Sequence, residues 1–165
     1  MIYFTSDTHF CHANIIKYCA RPFKSCQEMD LEMIRRWNEV VTPKDQVYHL
    51  GDFALAAKPV IAELVATLNG YKFLIRGNHD RSVKAMKECG FSEVWKYHIL
   101  EPPVVPIVVA MSHHPRAITV PGGTISLCGH SHEKMKMKEG VLNVGVDVWD
   151  FRPVSLQQVM KEFLT

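Results

Sequence analysis

Short apolar runs recur along the chain and predict strands, because they are rich in β-branched and aromatic residues and too short for helices. The clearest runs are residues 2–4, 47–50, 73–75, 107–111 and 125–128. The first strand is predicted over residues 1–6, and the fourth extends back to residue 104. A further strand is predicted over residues 97–100, and a hairpin over residues 135–148 that turns at Glu139 and Gly140.

Helical periodicity appears between these runs. Met29, Met33 and Trp37 recur at three- to four-residue spacing and predict a helix over residues 27–41, with Ser25 and Glu28 as its capping box. Further helices are predicted over residues 60–68, 83–88 and 156–163, and one helical turn near residue 15. Strands and helices alternate first, and strands and hairpins follow, which predicts a sheet-rich α/β domain.

Polar side chains with metal-binding atoms follow five of the predicted strands. These side chains are Asp7 and His9, Asp52, Asn78, His113 or His114, and His130 and His132. Ligands bind at the carboxyl ends of strands in open α/β sheets, so the five clusters are predicted to meet in space. His49, by contrast, precedes its turn inside a strand and is interpreted as a packed core histidine.

The donor set predicts a metal centre without thiolate. Carboxylate, amide and imidazole ligands suit Mn²⁺, with Fe, Zn²⁺ and Ni²⁺ as alternatives. Seven side chains exceed the needs of one ion and suit two ions, with Asp52 as the natural bridging carboxylate. Two ions roughly 3.5–4 Å apart bind a phosphate and lower the pKa of a shared water, whose hydroxide attacks phosphorus.

The order of these motifs resembles that of the calcineurin-like metallophosphoesterases. Asp-x-His, Gly-Asp, Gly-Asn-His-Asp, His and Gly-His-x-His follow one another from Asp7 to His132. The flanking Arg21-Pro22-Phe23 and Asn143-Val144-Gly145-Val146-Asp147 resemble a small single-domain branch. Cys11 stands where related small enzymes often carry glycine. Gly77-Asn78-His79-Asp80 differs from the Gly-Asn-His-Glu of the protein phosphatases, so a protein phosphatase activity is less favoured.

The resemblance implies a central β-sandwich flanked by helices, formed by one domain over residues 1–165. It also implies one ion held by Asp7, His9, Asp52 and His132, and a second held by Asp52, Asn78, His113 and His130. The family pattern His-x-Pro selects His113 rather than His114. His79 would protonate the leaving oxygen, with Asp80 orienting its ring.

Four further side chains are candidates for substrate contact. Arg21, Arg81 and Arg116 each lie near a motif, and arginine binds phosphate oxygens bidentately. His12 lies on the same loop as His9, where an exposed loop histidine is an equally good interpretation.

Bulk composition limits the partners and the compartment. The 165 residues are 47% hydrophobic with a net charge of +2, which indicates a packed domain and gives no strong signal for nucleic acid. The sequence lacks a run of about 20 apolar residues, so no membrane span is expected. Five cysteines without a Cys-x-x-Cys motif, and an N-terminus without a leader pattern, predict free thiols in the cytoplasm.

The function expected from these observations is hydrolysis of phosphoesters, with nucleotides among the candidate substrates. A diesterase is favoured, because the His79-Asp80 pair supplies the proton that an alkoxide leaving group needs and because no segment remains for a cap. The alternatives are a phosphomonoesterase, a non-catalytic interaction module and a metal store. The sequence leaves the oligomeric state open.

Overall fold

The computed structural model describes residues 1–103, 106–116 and 124–164. The strands are β1 (Ile2–Thr5), β2 (Gln46–His49), β3 (Tyr71–Ile75), β4 (Glu93–Trp95), β5 (Tyr97–Leu100), β6 (Val108–Ser112), β7 (Thr124–Cys128), β8 (Met137–Lys138), β9 (Val141–Asn143) and β10 (Val154–Ser155). The helices are α1 (Ala13–Tyr18), α2 (Cys26–Val40), α3 (Lys58–Thr67), α4 (Val83–Glu88) and α5 (Leu156–Leu164). Within the described ranges, none of these helices has the length and apolar character needed to cross a bilayer.

Two five-stranded sheets form the centre of the molecule. The first has the order β10-β1-β2-β3-β4, and the second has the order β5-β6-β7-β9-β8. Strands β1 to β4 are mutually parallel, as are β6, β7 and β9, while β10, β5 and β8 pair antiparallel with their neighbours. The sandwich flanked by helices that the sequence led us to expect is therefore confirmed.

Alternation along the strands divides the core into two layers. Tyr3 and Val47 lie in a cluster with buried residues of helices α2 and α3. Phe4 and Tyr48, their neighbours in sequence, lie in a second cluster with residues of β6, β7 and α5. Because successive side chains of a strand point to opposite faces, the first sheet is buried on both faces.

The predicted helices agree with the structure, and two details differ. Ser25 Oγ accepts a hydrogen bond from the Glu28 N–H at 3.1 Å, as the capping box requires. The Glu28 carboxylate, however, accepts from the N–H of Lys24 instead of that of Ser25. The expected turn of helix near residue 15 is the six-residue helix α1.

The predicted hairpin over residues 135–148 is too long. Strands β8 and β9 do turn at Glu139 and Gly140, both with positive φ, but their last registered pair is Met137 with Leu142. The Asn143 side chain donates to the carbonyls of His132 and Met135, and a 3₁₀ turn follows at Val146–Val148. Side-chain bonds to the backbone thus replace strand pairing there. In the predicted strand over residues 104–111, residues 104 and 105 lie outside the described residues.

Candidate metal centre

The loops that follow β1 and β2 are bonded to each other through their backbones. The N–H of Asp7 donates to Gly51 O at 2.9 Å, and the N–H of His9 donates to Asp52 O at 3.0 Å. Gly51 has φ +96°, and a Cβ there would lie 2.6 Å from both Gly77 N and His113 Nδ1. Only glycine fits at this position, because the third loop, which follows β3 and contains Gly77, and the side chain of His113, directly after β6, both approach it closely.

Asp80 holds the second and third loops together. Its Oδ2 accepts from the N–H groups of Asp52 and Gly77, both at 2.8 Å, and its Oδ1 accepts from that of Phe53 at 2.9 Å. Both carboxylate oxygens are thus used by backbone donors. The role of Asp80 in orienting the His79 ring stays a prediction, and the contacts seen here position the backbone that carries Asp52.

A first group of ligand atoms is formed by Asp7, His9 and His132, whose atoms lie within 4.8 Å of one another. His9 Nε2 is buried and has no hydrogen-bond partner in the described part of the chain. His132 Nδ1 lies 2.9 Å from the Asp147 carboxylate, so Nε2 is the acceptor nitrogen when the ring is neutral. Burial of polar atoms without partners is costly, so this group calls for a cation.

A second group is formed by Asp52, His113 and His130, again within 4.8 Å. His113 Nδ1 donates to Leu50 O at 2.7 Å, which makes its Nε2 an acceptor in the neutral ring. That nitrogen lies 3.0 Å from Asn78 Oδ1 and 3.4 Å from Asp52 Oδ2. Three acceptors therefore face one another, an arrangement that a positive ion stabilises.

The two groups share one oxygen atom. Asp52 Oδ2 lies 3.6 Å from His9 Nε2 and 3.4 Å from His113 Nε2. Burial of Asp7 raises the pKa of that carboxyl to about 6, and burial of His9 lowers the pKa of its ring to about 3. Carboxyl and neutral imidazole groups held in this way fit divalent metal ions, which bind their deprotonated forms.

The backbone at these positions is unusual. Positive φ angles occur at five of the candidate ligands, namely Asp7, His9, Asp52, His130 and His132, with values between 46° and 65°. Residues other than glycine adopt this conformation rarely, and each instance costs of the order of 1 kcal/mol or more. Such strain is concentrated at functional sites, where the surrounding contacts maintain it.

Comparison with known proteins agrees with this geometry. The family model for calcineurin-like phosphoesterases matches residues 1–149. The chain belongs to the calcineurin-like phosphoesterase family. Membership implies divalent metal ions and a phosphoester substrate for this phosphoesterase, and the ligand groups described above are its candidate metal sites.

Three relatives illustrate the family. Uncharacterized protein MJ1445 of Methanocaldococcus jannaschii is 38% identical over 170 residues, which cover 97% of this chain and 89% of that protein. The crystal structure of the protein of unknown function AQ665 from Aquifex aeolicus has a TM-score of 0.76 at 28% identity and covers 98% of both chains. A novel archaeal phosphodiesterase shares the fold with a TM-score of 0.50 and 22% identity, over 87% of this chain and 81% of that one.

Arg21 and Asp147 form a buried pair behind His132, and sequence reasoning missed this role. Arg21 Nε and Nη2 donate to the Asp147 carboxylate at 2.8 and 3.1 Å, while Nη1 and Nη2 donate to the carbonyls of Thr8 and Asp7. The Arg21 side chain is 0% exposed. The predicted contact of Arg21 with the substrate therefore does not agree with its position behind His132. Burial alone would lower the pKa of His132, but its bond to Asp147 raises it to about 10. The sequence did contain a signal for this role, because Asp147 ends the segment Asn143-Val144-Gly145-Val146-Asp147 that resembles the family.

Two of the remaining candidates, His79 and His12, lie beside the ligands of the metal centre. The His79 side chain is 47% exposed, with Nε2 4.0 Å from Asp52 Oδ2, and its N–H donates to Asp52 Oδ1. His12 Nδ1 lies 3.3 Å from His9 Nδ1. Arg81 is exposed and donates to Ala56 O.

The other residues that the sequence analysis singled out are Arg116, His114 and His49. Arg116 is exposed at the end of a described range. His114 is exposed and packs its ring 4.2 Å from that of His130, whereas the neighbouring His113 faces Asp52. His49, interpreted as a core residue, is indeed buried, with its Nε2 2.9 Å from Thr8 Oγ1.

Proposed function

We propose that this phosphoesterase holds two divalent metal ions and hydrolyses phosphodiesters. The observation that carries the proposal is the position of Asp52 Oδ2, which lies within 3.6 Å of acceptor nitrogens from both ligand groups. A carboxylate oxygen between two sets of ligands is suited to bridge two ions.

We propose the division of the ligands that the family resemblance implies. Asp7, His9, Asp52 and His132 would hold one ion, and Asp52, Asn78, His113 and His130 the other. Oxygen and imidazole donors without thiolate favour Mn²⁺, with Fe, Zn²⁺ and Ni²⁺ as alternatives. Bound ions supply two things: a lower pKa for water and neutralisation of charge on the phosphate oxygens.

His79 is the proposed proton donor. Its ring is half exposed at the mouth of the metal centre, and its backbone is fixed by the hydrogen bond from its N–H to Asp52 Oδ1 at 2.9 Å. A general acid needs access to the leaving oxygen and a fixed position, and the exposed ring and bonded backbone of His79 support this role.

A diester substrate is supported by the leaving group and by the shape of the site. The leaving alkoxide of a diester requires a proton, and His79 is the proposed donor of that proton. His79, Asn78 and His130 are all exposed, so the mouth admits groups on both sides of phosphorus. The archaeal phosphodiesterase with the same fold motivates the same assay. All five cysteines are free, which supports the proposal of a reducing, cytoplasmic setting.

The test is turnover of bis-(nitrophenyl) phosphate and nitrophenyl phosphate with Mn²⁺, before and after chelation. We expect activity that chelation abolishes, and a kcat/KM for the diester at least equal to that for the monoester. A monoester preference above about tenfold, roughly 1.4 kcal/mol in transition-state terms, would establish the phosphomonoesterase alternative instead.

The bridging assignment needs its own variant. Asp52→Asn removes charge shared by both ion sites and should lose most of the activity, while Glu139→Gln, at an exposed carboxylate on the β8-β9 turn, serves as the matched control. Full activity of the Asp52 variant at limiting Mn²⁺ would exclude a bridge.

A further inference from the structure

A cleft of about 220 Å³ opens beside the metal centre and extends away from it. Its lining includes imidazole rings of the metal centre together with those of His12 and His79. Helix α1 adds Ile15 and Tyr18 to the lining, and the exposed Glu133 and Lys134 lie at its rim. The cleft therefore joins the metal centre to an aromatic side chain, a carboxylate and an ammonium group.

Tyr18 is placed at the surface without a packing role of its own. Ile15, on the same short helix, is 4% exposed and anchors α1 to the core, whereas Tyr18 is 70% exposed. The Tyr18 ring lies 6.3 Å from that of His12 in an edge-on arrangement, and the His12 ring lies 6.4 Å from that of His79. A series of rings thus connects the proposed proton donor to an exposed aromatic face.

We infer that this cleft binds the nucleobase of a phosphoester substrate, with Tyr18 as the stacking surface. The inference rests on the proposed function, because it places the phosphate at the metal centre. Exposed aromatic rings stack on bases of any sequence, since every base has a π-face. Glu133 and Lys134 offer one acceptor and one donor at the rim, which matches the mixed donors and acceptors on the edge of a base.

The orientation of the substrate in the cleft follows from the position of His79. Because His79 lines the same cleft, the base is attached on the side of phosphorus from which the leaving oxygen departs. The nucleoside is therefore the leaving part of the substrate, and it is released with its hydroxyl protonated by His79. No oxidant or further reactant is required, since water supplies the oxygen gained by phosphorus.

Binding measurements test the subsite without depending on turnover. The Mn²⁺-loaded protein is titrated with adenosine 5′-monophosphate, ribose 5-phosphate and inorganic phosphate by calorimetry. We expect adenosine 5′-monophosphate to bind about tenfold more tightly than ribose 5-phosphate, in line with stacking of one base. Tyr18→Ala should remove this ratio and leave the affinity for inorganic phosphate unchanged, and Tyr18→Phe should preserve the ratio.

Tyr71→Ala is the matched control, because Tyr71 is a comparably exposed tyrosine at the amino end of β3, away from the ligands. A wild-type ratio near one, or an unchanged ratio in Tyr18→Ala, would overturn the subsite even if phosphoesters are hydrolysed. Conversely, a ratio that depends on Tyr18 in a protein that hydrolyses no phosphoester would support the subsite and refute the proposed catalysis.

Discussion

Replacement of Arg21 distinguishes a structural role from a substrate contact. The guanidinium makes two bonds to Asp147 and one each to the carbonyls of Asp7 and Thr8. Burial alone would raise the pKa of Asp147, but bonds from His132 and Arg21 lower it below its usual range. The ion pair therefore stabilises the charged form of Asp147 in the folded protein.

The expected loss of stability follows from the bonds that each variant leaves unmade. Arg21→Lys keeps the charge but presents one ammonium in place of a planar fork, so about two charged bonds are lost, or roughly 3 kcal/mol. Arg21→Met leaves Asp147 buried with His132 as its remaining partner, which costs up to about 3–5 kcal/mol, and leaves two carbonyls unpaired. The combined loss, ~5 kcal/mol or more, is a large part of the 5–15 kcal/mol of a typical domain.

Urea unfolding with a chelator measures these differences, since bound metal would add to the apparent stability. Arg21→Met combined with Asp147→Asn should lose less than the sum of the single losses, by about 1–3 kcal/mol, because the two residues interact directly. An Arg21→Lys variant with wild-type unfolding free energy and a raised KM would refute this reasoning. That result would instead support the substrate contact that the sequence predicted for Arg21.

Three further predictions concern the metal centre. His79→Ala should keep its metal, as measured by elemental analysis, and lose about 10²–10⁴-fold in kcat, less with a nitrophenolate leaving group; loss of metal would show that His79 is a ligand. Asp147→Asn should weaken metal binding by about 10–100-fold in a competition titration, because it frees the His132 ring. Burial raises the pKa of Asp7 to about 6, so the metal-free folded state keeps a proton that the unfolded chain loses near pH 4. Its unfolding free energy should therefore fall as pH rises between those values, and Asp7→Asn should reduce that slope.

The sequence was sufficient to predict the strands that carry the ligands, because their apolar runs are continuous and end at polar turns. Asp7, Asp52 and His130 follow β1, β2 and β7 as the pattern indicated. Helix α2 was equally predictable, since Met29, Met33 and Trp37 form one buried face. These features depend on local periodicity, which a single sequence displays.

Contacts between distant segments were not predictable in this way. Arg21 and Asp147 are 126 positions apart, and the pairing depends on how the segment after β9 returns beside β1. The hairpin was predicted too long for a related reason, since Asn143 bonds the carbonyl of His132, eleven residues earlier. Asp80 adjoins His79 in sequence, but the backbone that it binds belongs partly to another loop. In each case proximity in the fold, and not spacing along the chain, determines the partner.

The strained backbone of the ligands requires hydrogen bonds between the loops that carry them. Asp7, Asp52 and His130 have positive φ, and each is held by a contact with another loop. The N–H of Asp7 is bound by Gly51, that of Asp52 by Asp80, and that of His130 by the Asp7 carboxylate. The strain at one ligand is therefore offset by bonds that also position the next. Contacts between the loops thus hold three ligands in the conformation that brings their acceptor atoms together.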